Sequence, residues 1–205
     1  MRSSTSSPRQ RRKAGSDMPR LYVVVGPNGS GKSSIITNLN LDSVCKSIIN
    51  PDNFARRLSD IDDEVERYIL AMRECEVLRE RLLTSGVDFG FETVGSRDDK
   101  LEFMSEAREK GYSIILIFVT TSDPDINVSR VAERVRTGGH DVPEEKIRSR
   151  YERTMSRLKS YLALSDEAIV IDNSGDHPVT VVTKDNDTIK FTADAPDWVL
   201  RYLDP

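Results

Sequence analysis

The sequence predicts an α/β fold, a doubly wound and mainly parallel sheet flanked by helices, with a β-hairpin added at its C-terminal end. Three observations predict it. Short apolar runs alternate along the chain with longer segments whose apolar residues recur at helical spacing, which implies strands joined by covering helices. The run over 112–119, YSIILIFV, is apolar on both faces, as a strand covered on both sides must be. Beyond residue 178 the pattern changes to two short alternating runs around Asp185, Asn186 and Asp187, a hairpin signal.

Taken in order, 21–25 reads as the first strand and 32–38 as the first helix. A strand is expected over 47–49. A long helix is expected over 62–84, where Val65, Ile69, Met72, Leu78 and Leu82 recur on one side and Gly86 supplies the stop. A strand over 88–93, a helix over 100–110 and the strand over 112–119 follow. Two helices are expected over 125–137 and 144–162, then a strand over 167–171. The hairpin over 180–191 and a packing helix over 195–203, bearing Trp198, Val199 and Tyr202, read as an appendage that caps the sheet edge.

The chain has 205 residues, enough for one well-buried domain, read here as 18–205 with the appendage at 178–205. Residues 1–17 are rich in serine and arginine and have no apolar periodicity, so a disordered basic tail is expected there. That tail sets five basic residues against Asp17, a balance of +4, which leaves −8 for 18–205 out of the overall −4. An acidic body lacks the basic face that a phosphate backbone requires, which argues against a nucleic-acid partner and against a polynucleotide kinase. No run reaches the ~18 apolar residues of a membrane span. No secretory signal precedes Cys45 and Cys75, so two reduced thiols and a cytoplasmic location are expected.

Gly26, Pro27, Asn28, Gly29, Ser30, Gly31, Lys32 and Ser33, followed by Ser34, match the phosphate-binding pattern G-x-x-x-x-G-K-[ST] between a strand and a helix. The glycines let backbone N–H groups converge on phosphate oxygens, Lys32 carries charge to the β and γ phosphates, and the Ser33 hydroxyl is a Mg²⁺ ligand. The fold class thereby narrows to a P-loop NTPase using ATP and Mg²⁺. The LSGGQ and Asp-Glu signatures of ABC ATPases and the guanine-reading N-K-x-D are missing.

A phosphate acceptor in such a sheet sits at the carboxyl ends of the strands. SIINPDN places Asp52 there, and it is the candidate general base for the acceptor hydroxyl, the alternative being an N-cap for NFARRL. FETVGS places Glu92 and Thr93 there, as acceptor-binding residues or, for Glu92, as a support for the Mg²⁺ waters. Positive charge over the migrating phosphoryl group is expected from a lid, RVAERVRTGGHDVPEEKIRSRYERT. In it Arg130 and Arg134 lie one turn apart, and Gly138 and Gly139 form a hinge before His140. Asn173, in the DNS turn after the last core strand, is a candidate adenine-side contact.

These segments, from VVGPNGSGKSS through NPDNFA, FETVGS and the lid to DNSG, resemble in order the zeta toxin family of P-loop kinases and its small bacterial zeta-toxin-like ATPases. The resemblance spans about residues 20 to 175. It implies ATP-dependent phosphorylation of a sugar-nucleotide hydroxyl, UDP-N-acetylglucosamine in the characterised members, with Asp52 as base and Glu92 on the acceptor. It also implies Arg130 as a phosphate contact, with Arg136 or His140 standing where the family has a second arginine. An antitoxin protein is the partner it implies, and a regulatory nucleotide-binding protein read by such a partner is the alternative function.

Overall fold

The computed structural model describes residues 18–45, 48–193 and 195–203; the expected tail over 1–17 and Ser47 lie outside them. The strands are β1 (Arg20–Val25), β2 (Ile48–Ile49), β3 (Phe89–Thr93), β4 (Ser113–Thr120), β5 (Glu167–Asp172), β6 (Val179–Asp185) and β7 (Thr188–Phe191). They form one sheet in the order β2-β3-β1-β4-β5-β6-β7. The first five pair in parallel, and the hairpin β6–β7 joins the β5 edge antiparallel. Asn186 turns the hairpin with φ of 50°, which Asn tolerates better than most residues.

The helices are α1 (Lys32–Asn38), α2 (Leu41–Val44), α3 (Pro51–Arg57), α4 (Glu64–Ser85), α5 (Asp99–Glu109), α6 (Pro124–Arg136), α7 (Glu144–Met155), α8 (Leu158–Leu164) and α9 (Asp197–Leu203). Period-two alternation divides β1 between two cores. Leu21, Val23 and Val25 join Phe89, Phe91 and Phe118 in the larger one, with Met104 of α5 and Met155 of α7. Val24 faces the other, with Ile35 and Ile36 of α1. Burying each of these large side chains stabilises the fold by about 2 kcal/mol before ordering entropy is subtracted.

Besides the short α2, which the sequence reading does not include, three elements depart from expectation. The single helix expected over 144–162 is broken at Ser156 and Arg157, where Arg157 turns to Asp98, its Nε 2.8 Å from Oδ1. Residues 51–57 form a helix whose cap is Asn50, since the Asn50 side chain accepts from the Asp52 N–H at 2.8 Å and Pro51 fits the first helical position. The capping alternative for Asp52 is therefore wrong, and its side chain is exposed. On α4 the buried stripe is Ala71, Cys75, Arg79 and Leu83, whereas Val65 and Ile69 are 68% and 47% exposed. Small Ala71 and Cys75, both fully buried, form that face in place of the larger Val65 and Ile69. Among the described residues no helix is long and apolar enough to cross a membrane.

Candidate functional site

β1 lies between β3 and β4, so the order of the sheet reverses at its carboxyl end, and the glycine loop leaves β1 at that crevice. Gly31 caps α1 with φ of 90°, a left-handed conformation that a Cβ would strain, and a Cβ there would also overlap the Asn173 amide. The loop is braced from several elements. Gly26 N–H donates to Thr93 O at the end of β3 at 3.2 Å, and Asn173 Nδ2 donates to Ser30 O at 2.8 Å. From α6, Asn127 Nδ2 donates to Asn28 O at 2.6 Å. From α7, Arg150 Nη1 donates to Asn28 Oδ1 at 3.2 Å. Ser30 Oγ is buried within the loop beside Gly26 with no partner, an unmatched hydroxyl of the kind a phosphate oxygen would satisfy.

Lys32 is buried and donates to Gly26 O at 2.8 Å and Pro27 O at 3.0 Å, with Glu92 Oε1 3.8 Å away. Burial lowers its pKa, and the nearby Glu92 and Asp52 carboxylates oppose that shift. Glu92 gathers polar partners: Asn50 Nδ2 donates to its Oε2 at 2.6 Å, and Ser33 Oγ lies 3.5 Å from the same oxygen. Ser33 and Glu92 thus present adjacent hard oxygen donors. They fit Mg²⁺, which takes few protein ligands and keeps waters, and among the described residues no larger His, Cys, Asp or Glu cluster could hold a metal. Thr93 is beside them, with its hydroxyl accepting from Gly95 N–H at 3.2 Å. Asp52 is exposed at the start of α3 and close enough to Lys32 and Tyr68 to influence both.

The residues expected to form a lid separate into groups. Arg130 is half-buried; its Nη1 is buried without a partner, and its Nη2 lies 3.5 Å from Ser174 O. Arg134 is exposed, near enough to Lys32 to lower the lysine pKa, and donates to His140 O at 2.7 Å. Arg136 is held by Glu133 through two bonds of 2.9 and 2.7 Å, on the helix that carries both. His140 is clasped to the start of α4, its Nδ1 2.7 Å from Glu64 Oε1 and its ring stacked on Tyr68 at 5.7 Å. Asn173 packs against the loop backbone, so its amide is a brace for the phosphate loop. Ser34 is exposed on α1.

Asn50, Asn127 and Arg150 are new to this picture. Asn50 could have been found from the Asn-Pro-Asp run, which favours capping. Nothing in SRYERT separates Arg150 from its neighbouring arginines, because only the packing of α7 aims it at the loop.

The family model described as Zeta toxin matches residues 5–193. An uncharacterized protein of Haemophilus influenzae is 30% identical over 133 residues, 62% of this chain and 88% of that one. Structures of the AvrRxo1-ORF1:AvrRxo1-ORF2 complex, with sulphate ions and with ATP, superpose with TM-scores of 0.70 and 0.73 at 18% and 15% identity. Both superpositions cover 91% of this chain, which spans only 64% of the matched chain. A structure from the PezAT chromosomal toxin-antitoxin system of Streptococcus pneumoniae gives 0.58 at 19% identity, covering 82% of this chain and 75% of that one. At these identities the structural likeness is one of fold.

Proposed function

Because this chain belongs to the zeta toxin family, we propose that it is an ATP- and Mg²⁺-dependent kinase that transfers the γ-phosphate to a hydroxyl of a small molecule, with UDP-N-acetylglucosamine the first acceptor to test. The observation that carries the reading is the convergence of Lys32, Ser33, Glu92 and Asn50 at the carboxyl end of β1 and β3, with the Asp52 carboxylate left exposed beside them. In this reading Asp52 accepts the proton of the acceptor hydroxyl while that oxygen bonds to the γ-phosphorus. The bond from phosphorus to the β-phosphate oxygen breaks, and ADP leaves. Glu92 and Asn50 orient the acceptor side. Ser33 and Glu92 would hold Mg²⁺ directly or through water, and the ion would supply charge neutralisation across the phosphates. In this reading Lys32, Arg134 and Arg150 supply positive charge around the γ-phosphate, and Arg130 is a further phosphate contact.

The test is incubation with ATP, Mg²⁺ and a panel of UDP-sugars, wild type against Asp52→Asn. Phosphorylated product should form, and the variant should lose about 10²–10⁴-fold in kcat while still binding ATP. Equal turnover by both proteins removes Asp52 from the mechanism.

A second reading, a protein whose nucleotide state is read by an antitoxin-like partner, is favoured by the exposed apolar row Val65, Ile69 and Val77 along α4. ATP hydrolysis without any phosphorylated acceptor, together with a stable complex lost in Ile69→Glu, would favour it over the kinase.

A further inference from the structure

α9 follows the hairpin and lies beyond the residues that the family model matches, which end at 193. Its Trp198 is the chain's one tryptophan, 9% exposed, and packs with Val199 into the larger core. Phe would meet that packing need, so the indole N–H is the feature to explain. A buried indole N–H needs an acceptor. It finds one in Asp172 at the carboxyl end of β5, with Nε1 3.0 Å from Oδ2.

The same carboxylate organises the turn that follows. Its Oδ1 accepts from the Ser174 N–H at 2.9 Å and from the Ser174 hydroxyl. Ser174 Oγ in turn accepts from the Ser122 N–H at 2.7 Å, just past the end of β4. Between them, Asn173 donates through its backbone N–H to Thr120 O at 2.8 Å and through Nδ2 to Ser30 O at 2.8 Å. Ser174 O lies 3.5 Å from Arg130 Nη2. Contacts thus run from the indole, through Asp172 and its turn, to the phosphate loop on one side and Arg130 on the other. The last torsion of an Asp side chain is soft, so donors on both oxygens are what fix the plane of this carboxylate.

We propose that Trp198 is a positioning residue for nucleotide binding, acting through Asp172. Its N–H sets the carboxylate plane and the carboxylate sets the turn. The turn delivers the Asn173 amide to the phosphate loop and the Ser174 carbonyl to Arg130. Groups ordered before the nucleotide arrives do not have to be ordered by it, which strengthens binding. This role rests on the nucleotide binding in the function proposed above and not on the identity of the acceptor.

The test is calorimetric titration of the full chain with a non-hydrolysable ATP analogue and Mg²⁺, for wild type, Trp198→Phe, Asp172→Asn, the double variant and Tyr202→Phe. Phe keeps an apolar ring and removes the donor, and Asn keeps the shape of Asp172 with one acceptor oxygen in place of two. Each of these two changes should weaken the analogue roughly tenfold, and the double variant should bind no more weakly than Asp172→Asn alone. Asp172→Asn leaves the packing of α9 alone and gives the same reading should Trp198→Phe fold poorly. Tyr202→Phe removes another polar tie of α9, Tyr202 OH to Glu152 Oε2 at 3.4 Å, and should bind as wild type does. In the NMR spectrum the single indole N–H signal should shift when the analogue is added to wild type, and not in Asp172→Asn. Wild-type affinity in Trp198→Phe, additive losses in the double variant, an equal loss in Tyr202→Phe, or an indole signal that the nucleotide leaves unmoved would each overturn the proposal, even if Trp198→Phe lowers Tm. Those four outcomes leave the kinase reading intact, whereas a wild type that binds no analogue would overturn both.

Discussion

Replacing Glu92 by Gln tests whether its carboxylate and the loop lysine form one electrostatic unit. Lys32 Nζ lies 3.8 Å from Glu92 Oε1, and both side chains are about nine-tenths buried. At an effective dielectric constant of ~20 that separation gives about 4 kcal/mol of attraction. Part of it survives the substitution in effect, because the Gly26 and Pro27 carbonyls still accept from Lys32 and the Gln oxygen can still accept from Asn50. A net loss of about 2 kcal/mol is expected, which for a chain of this size lowers Tm by roughly 4–8 °C. The nucleotide phosphates replace the missing negative charge. Thermal denaturation with and without ATP should therefore show a larger ATP-induced rise in Tm for Glu92→Gln than for wild type. A variant as stable as wild type, or one with no larger response to ATP, would falsify the coupling.

Three further outcomes follow from the same geometry. Burial lowers the Lys32 pKa below its ordinary 10.5, and phosphates favour the ammonium, so ATP affinity should fall as pH rises through that window, at most about tenfold per pH unit. In the same window the free protein should gain stability with pH, because the unfolded chain binds the extra proton; calorimetry in buffers of different ionisation enthalpy would show the coupled proton uptake. Gly31→Ala places a Cβ at φ of 90° and against Asn173, and should cost about 1–3 kcal/mol in chemical denaturation along with most nucleotide binding. His140→Ala removes the clasp to Glu64 and Tyr68, so hydrogen exchange over 137–143 should quicken and KM for the acceptor should rise about threefold; unchanged exchange would show that the clasp does not hold the lid.

The strands and most helices were legible because each satisfied a local rule that tertiary packing did not oppose. The apolar run at 112–119 could only be a central strand, and Gly86 ends α4 in the left-handed conformation its position implied. The phosphate loop was legible for the same reason, since its spacing and its mechanism lie within a few adjacent residues. What escaped depended on three-dimensional phase. Arg79 stands on the buried stripe of α4, although a charged residue reads as solvent-facing, because Phe91 and Phe103 accept its guanidinium face. Arg150 reaches Asn28 across 122 positions of sequence, a relation no local pattern contains. Asn50, in contrast, was hidden in plain view beside Asp52, where attention to charge obscured the cap.

The two ends of the sheet have a consequence for how the molecule behaves in company. One margin is β2, two residues long; the other is β7, four residues that are all exposed, with Lys190 among them. Margins so short offer another chain little unpaired backbone to extend, and the lysine discourages a like strand from aligning there. The hairpin that began as an appendage thus works as a terminus for the sheet, keeping a strand-rich core from recruiting its neighbours at high concentration.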